Sequence, residues 1–448
     1  GGSISLESTG GIVDTTLGTL LSYSAAGIGG DVSINAWSNI SLGGDASTLA
    51  IRSSGNLAGG NITITSTTGE IDASRGTLQS DSTNGNGGNV NFTAAGDILT
   101  GGIYSYSSGS GTGGSISLES TGGIVDTTLG PLVSYSTTGT GGDVTISAWN
   151  NISLGGNAST FGILSSGSLA GGDITITSTT GEIDASRSTL KSDSTNGNGG
   201  NVNFTAARDI LTGGIYSTSG SGTGGSISLE STGGIVDTTL GTLLSYSTTG
   251  TGGDVTINAG SNISLGGDAS TLAIRSSGNL AGGNITITST TGEIDASRGT
   301  LQSDSTNGNG GNVNFTAAGD ILTGGIYSYS SGSGTGGSIS LESTGGIVDT
   351  TLGTLLSYSA AGIGGDVSIN AWSNISLGGD ASTLAIRSSG NLAGGNITIT
   401  STTGEIDASR GTLQSDSTNG NGGNVNFTAA GDILTGGIYS YSSGSGTG

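Results

Sequence analysis

The chain has 448 residues, of which 93 are Gly, about three times the usual ~7% share; it carries one Pro and no Cys, Met or His. Nine Lys and Arg stand against 32 Asp and Glu, a net charge of −23. These counts exclude disulfides, thiolate or imidazole catalysis and Cys/His zinc sites. An acidic chain without basic clusters also makes nucleic acid and anionic membrane surfaces poor partners.

No stretch reaches the ~18–20 consecutive apolar residues that span a bilayer. The opening Gly1-Gly2-Ser3-Ile4-Ser5 is not leader-like and no initiator Met is present, so the chain reads as a processed product or an excerpt.

Internal periodicity governs the fold. GGSISLESTGGIVDTTLG begins at Gly1 and returns at Gly113, Gly224 and Gly336, and residues 336–448 repeat 1–113 without a change. The repeat units are 1–112, 113–223, 224–335 and 336–447, with Gly448 opening a fifth, in one continuous solenoid over 1–448. Within a unit, Gly-Gly followed by alternating apolar residues marks four sub-repeats of 26–30 residues, beginning at Gly1, Gly29, Gly59 and Gly87.

Each sub-repeat holds three short alternating runs, the pattern of strands rather than helices. Three such strands cannot bury a face alone, but stacked coils can. The expected fold is all-β: a right-handed parallel β-helix of about sixteen three-stranded coils, uncapped at both ends, ~75–80 Å long at ~4.8 Å per coil. Gly and Asn at the corners are expected to supply φ > 0 turns.

In chain order, the first coil turns Ile4 and Leu6 inward on its first strand, Val13 on its second, and Leu20 with Ser22 on its third. The second places Val32 and Ile34, then Ile40, then Leu49 with Ile51. The third places Ile62 and Ile64, then Ile71, then Leu78 with Ser80. The fourth places Val90 and Phe92, then Ile98, then Ile103 with Ser105. Inward ladders of this kind contribute roughly 1.5–3 kcal/mol per buried side chain. The sequons Asn39-Ile40-Ser41 and Asn61-Ile62-Thr63 are read as lying within strands and as coincidental.

Outward residues supply the candidate sites. Glu70 and Asp97 fall in one column on adjacent coils and recur as Glu182/Asp209, Glu293/Asp320 and Glu405/Asp432. Paired carboxylates can hold a loosely bound Ca2+ or resemble a retaining glycosidase pair. Four copies at unit spacing fit structural carboxylates better than an active site, so no catalytic residue and no cofactor is assigned. Asp72 and Arg75 suggest a local ion pair at a corner.

On the third strands, one outward column reads Leu21, Ala50, Gln79, Tyr104 and its neighbour Tyr23, Arg52, Asp81, Tyr106. Together with Trp37, Trp149 and Trp372, the tyrosines Tyr23, Tyr104 and Tyr106 form a candidate contact stripe, since aromatic and Arg residues are enriched at interfaces.

The segment GGNITITSTTGEIDASRGTLQSDSTNGNGGNVNFTAAGDILTGG (59–102) resembles the filamentous haemagglutinin-like repeats of large secreted bacterial proteins, the cyanobacterial versions most closely. The resemblance covers the whole chain. It implies a right-handed β-helix exported by two-partner secretion and displayed outside the cell as a surface fibre or adhesin, and it brings no site residue with it.

The expected function is therefore a non-enzymatic extracellular filament whose copies associate end to end or laterally. The alternative is an adhesin that binds polysaccharide or neighbouring cell surfaces through the Tyr/Trp flank. A polysaccharide-active enzyme is remote, because the polar features peculiar to one unit, Lys191 and Arg208, lack a matching unique carboxylate.

Overall fold

A computed structural model describes residues 1–43, 49–155, 161–266, 272–378 and 384–448. These residues form strands and turns, with no helix among them. The first coil contains β1 (Ile4–Ser8), β2 (Val13–Thr15) and β3 (Leu20–Ser24). The second contains β4 (Val32–Ala36), β5 (Ile40–Leu42) and β6 (Leu49–Gly55), and the third β7 (Ile62–Ser66), β8 (Ile71–Ala73) and β9 (Thr77–Ser82). The fourth contains β10 (Val90–Ala94), β11 (Ile98–Thr100) and β12 (Ile103–Ser107).

Strands pair in parallel with their counterparts one coil away: β1-β4-β7-β10, β2-β5-β8-β11 and β3-β6-β9-β12. The chain is thus an all-β parallel solenoid with three strands per coil. It divides into two compact units, Gly1–Gly225 and Ser226–Gly448, and each builds three parallel sheets in this way.

The first-strand register is the expected one: Ile4↔Val32↔Ile62↔Val90 and Leu6↔Ile34↔Ile64↔Phe92. Val32, Ile34, Ile62, Ile64, Val90 and Phe92 are 0–1% exposed, so these files are the core. Ile4 and Leu6, on the first coil, are half-buried. The second-strand file Val13↔Ile40↔Ile71↔Ile98 also stands as expected.

The third-strand file does not. Leu20 pairs with Ile51 rather than Leu49, and Ser22 with Ser53; Ile51 then pairs with Leu78. A register irregularity between Leu49 and Ile51 places one extra residue in the strand as a bulge. Ala50, placed outward from the sequence, is fully buried. The same irregularity recurs at Phe161/Ile163, Leu272/Ile274 and Leu384/Ile386.

The corners differ from expectation too. Among the described residues no non-Gly residue has positive φ, and only Gly43, Gly266 and Gly378 do, at 76°, 73° and 72°. The Gly-Gly pairs are demanded by close approach instead. A Cβ on Gly87 would meet Ser105 Oγ of the same coil, and one on Gly88 would run into the Gly60 carbonyl of the coil before.

Candidate functional site

Two polar ladders hold the corner where each coil closes. Ser80 Oγ donates to Gly60 O at 2.8 Å and accepts from Gly88 N at 2.9 Å. Ser22, Ser53 and Ser105 do the same between their own pairs of glycines. Each buried hydroxyl therefore ties the glycine that opens one coil to the glycine that opens the next. Outside this column runs a second ladder of side-chain amides and carboxylates. Asp31 Oδ1 accepts from Asn61 N, Asn61 Oδ1 from Asn89 N, and Asn89 Oδ1 from Ser115 N, at 2.8–2.9 Å. Sequence reasoning missed the serine ladder. The signal was available, since a Ser stands seven to nine residues before the second Gly of each pair.

Glu70 and Asp97 lie where they were expected, in one column on adjacent coils just before β8 and β11. Glu70 Oε1 accepts from Asn39 Nδ2 at 3.0 Å, and Asp97 Oδ1 from Ile124 N at 2.9 Å. Glu182 and Glu293 accept in the same way from Asn151 and Asn262, and Asp320 from Ile347 N. Glu405 N in turn donates to Asn374 Oδ1 at 3.1 Å. Asp209 and Asp432 occupy the same rung as Asp97, and their main-chain carbonyls accept from Ile183 N and Ile406 N at 2.9 Å. Asp209 is half-buried, as are Asp97 and Asp320 on the same rung.

The cation candidates are the pairs Glu70/Asp97, Glu182/Asp209, Glu293/Asp320 and Glu405/Asp432. Each brings together two carboxylates, and among the described residues no group of three or more acidic side chains could hold a metal ion. A calcium ion takes six to eight oxygens, and several of these carboxylates already serve the backbone or an Asn amide. The sequons are corrected, because Asn39 and Asn61 stand just before their strands rather than within them.

Asp72 is engaged by Ser74, whose N and Oγ donate to Oδ1 at 2.9 and 2.5 Å, and the ion pairs among the described residues lie elsewhere than Asp72–Arg75. Equivalent turns hold Asp14 and Asp407 below the ordinary carboxylate value, through hydrogen bonds from Thr16 and Ser409.

The tyrosines and tryptophans fall on different parts of the coil. Trp37, Trp149 and Trp372, each 51% exposed, stand at the corner between first and second strands. All eleven tyrosines lie on third strands. With the bulge taken into account, one outward file reads Leu21↔Arg52↔Gln79↔Tyr104 and the other Tyr23↔Ser54↔Asp81↔Tyr106.

These side chains form a network. Arg52 Nε and Nη2 donate to the Asp81 carboxylate at 3.2 and 3.4 Å, and Ser54 Oγ at 2.7 Å. Gln79 Nε2 bridges Asp81 Oδ1 at 3.0 Å and Tyr106 Oη at 2.7 Å. Asp81 is 8% exposed, so its charge needs these partners. The Asp81 hydrogen bonds in turn hold the Arg52 guanidinium above its ordinary pKa. Burial pushes the Tyr104, Tyr106 and Tyr329 hydroxyls up, with the nearby carboxylates adding to the effect at Tyr106 and Tyr329.

The network recurs around Arg275–Asp304 and Arg387–Asp416. In residues 113–223 the arginine's place is taken by Leu164, and Lys191 replaces the glutamine. Lys191 Nζ then sits 3.2 Å from Asp193. The carboxylate changes partner but keeps a cation.

No family model, curated protein or solved structure matches this chain.

Proposed function

We propose that the chain is a non-enzymatic structural scaffold, the repetitive shaft of an extracellular surface fibre. The observation that carries this reading is the stacking itself. Side chains at each corner are hydrogen-bonded to the coil above or below, and the same residues return every four coils. Length in such a fold grows by adding units, without altering those already present. The resemblance of residues 59–102 to filamentous haemagglutinin-like repeats supports display outside the cell, after two-partner secretion, in a fibre whose copies associate end to end or side by side. A net charge of −23 keeps such fibres apart at low salt. Loosely bound Ca2+ shared between the carboxylate columns of two fibres would draw them together.

The exposed Trp37, Trp149 and Trp372 favour a second reading, an adhesin gripping polysaccharide or a neighbouring cell surface at that corner. Their place is taken by Gly260 in one unit, so that corner does not need an aromatic to fold.

Electron micrographs and oriented X-ray diffraction of the purified chain test the scaffold reading. Elongated particles with a reflection near ~4.8 Å along the long axis are expected. Compact particles lacking that axial reflection would overturn it.

A further inference from the structure

Charge is distributed unevenly over the three strand positions. First strands carry Glu7, Glu119, Glu230 and Glu342 with no basic residue, and second strands carry eight aspartates, among them Asp14 and Asp72, with no basic residue inside the strands. Third strands carry four cations and four carboxylates, joined as Arg52–Asp81, Lys191–Asp193, Arg275–Asp304 and Arg387–Asp416. In a chain of net charge −23, the third-strand face is neutral. It also bears every tyrosine, with Leu21, Val133 and Leu164 beside them in the outward files. Tyr135 is 38% exposed, and Tyr246 and Tyr358 at the equivalent repeat position are half-buried.

We infer that this face is a side-by-side contact surface, and that its partner is the same face of a second copy of this chain. The inference rests on the scaffold reading and names the surface by which shafts pair. Like-charged molecules meet at least cost where neither carries net charge, and Tyr with Arg is the composition of an interface centre. The face is also complementary to itself. Two copies of residues 1–112 running in opposite directions set the Arg52 rung across from the Gln79/Asp81 rung, and the Leu21/Tyr23 rung across from the Tyr104/Tyr106 rung; in residues 113–223 the two middle rungs are Leu164 and Lys191/Asp193 instead. Copies running the same way without offset set Arg against Arg.

The area suffices. Eight third strands of about five residues cover roughly 38 by 17 Å in either compact unit, on the order of 650 Å², so two such faces bury about 1,300 Å² together, at the lower end of the roughly 1,200–2,000 Å² of a standard interface.

The test is sedimentation velocity of the whole 448-residue chain, with circular dichroism to confirm the fold. One variant carries Tyr23→Glu, Tyr135→Glu and Tyr358→Glu. The control carries the same added charge on first strands, as Thr63→Glu, Thr175→Glu and Thr398→Glu. The unsubstituted chain is expected to self-associate, more strongly as salt screens its overall charge. The tyrosine variant should weaken association at least about tenfold and the control by less than about threefold, as expected when a few central aromatic residues dominate an interface. If the glutamate variant fails to fold, Tyr→Ser at the same three positions is measured against the same tenfold expectation.

A chain that stays monomeric, association that weakens with salt, or equal loss in both variants would overturn the inference. The scaffold reading fails separately. Elongated particles that remain single in micrographs keep the scaffold and sink the pairing, whereas pairs of compact particles do the reverse.

Discussion

A buried serine hydroxyl is the smallest unit on which this fold depends. Ser80 satisfies Gly60 O and Gly88 N at once, and a bulkier side chain could not stand between two glycines so closely stacked. Ser80→Ala leaves a donor and an acceptor without a partner in the interior, at a cost of about 1–3 kcal/mol. Hydrogen exchange at the Gly88 amide should accelerate accordingly, while unchanged exchange would show that the hydroxyl is not what holds the corner. The sequence singles out Ser80 as an inward position but not as a bridge. Its partners are 20 residues back and eight ahead, and they meet only because coils stack. The Asp81 site was half legible for the same reason. Arg52 and Asp81 share a sequence column, but the true register sets Arg52 beside Gln79 and brings Ser54 to Asp81, a bond the sequence columns do not show.

At the scale of a coil, alternation decides which side chains are inside. Ile64 is fully buried between Ile34 and Phe92, while its neighbour Thr63 faces out. Ile64→Asp places an unpaired charge in the core, a loss on the order of 3–5 kcal/mol, whereas Thr63→Ala should stay within about 0.5 kcal/mol. Chemical denaturation resolved by local hydrogen exchange checks both, because repeat arrays need not unfold in one step. Similar effects from the two substitutions would contradict the register. β6 is where sequence reasoning slipped. Alternation from the sequence gives Leu49 as the inward residue, whereas the bulge between Leu49 and Ile51 gives that place to Ile51. Counting back from Gly59-Gly60 recovers Ser53 and, with it, Ile51.

For the molecule as a whole, the repeat makes units interchangeable. Excising residues 113–223 joins Thr112 to Gly224, the same dipeptide found at Thr335-Gly336. Circular dichroism per residue should not change in the shortened chain, because each coil depends on its immediate neighbours; a spectrum drifting toward disorder would mean that stability is not built coil by coil. Within residues 113–223, the exchange of Arg and Gln for Leu164 and Lys191 shows the constraint that survives variation. A carboxylate under third-strand side chains retains a cation, whichever neighbouring position supplies it.

The sequence by itself determined the class of fold, the number of strands per coil and the membership of the first two inward files. Period-two alternation and exact repetition are local properties that need no knowledge of what packs against what. Only the tertiary structure decided the register of the third strands, the reason for the Gly-Gly pairs and the separation of tryptophans from tyrosines. Each of these depends on distances between coils some 26 to 31 residues apart, where a bulge of one residue or the absence of a Cβ changes which side chains meet.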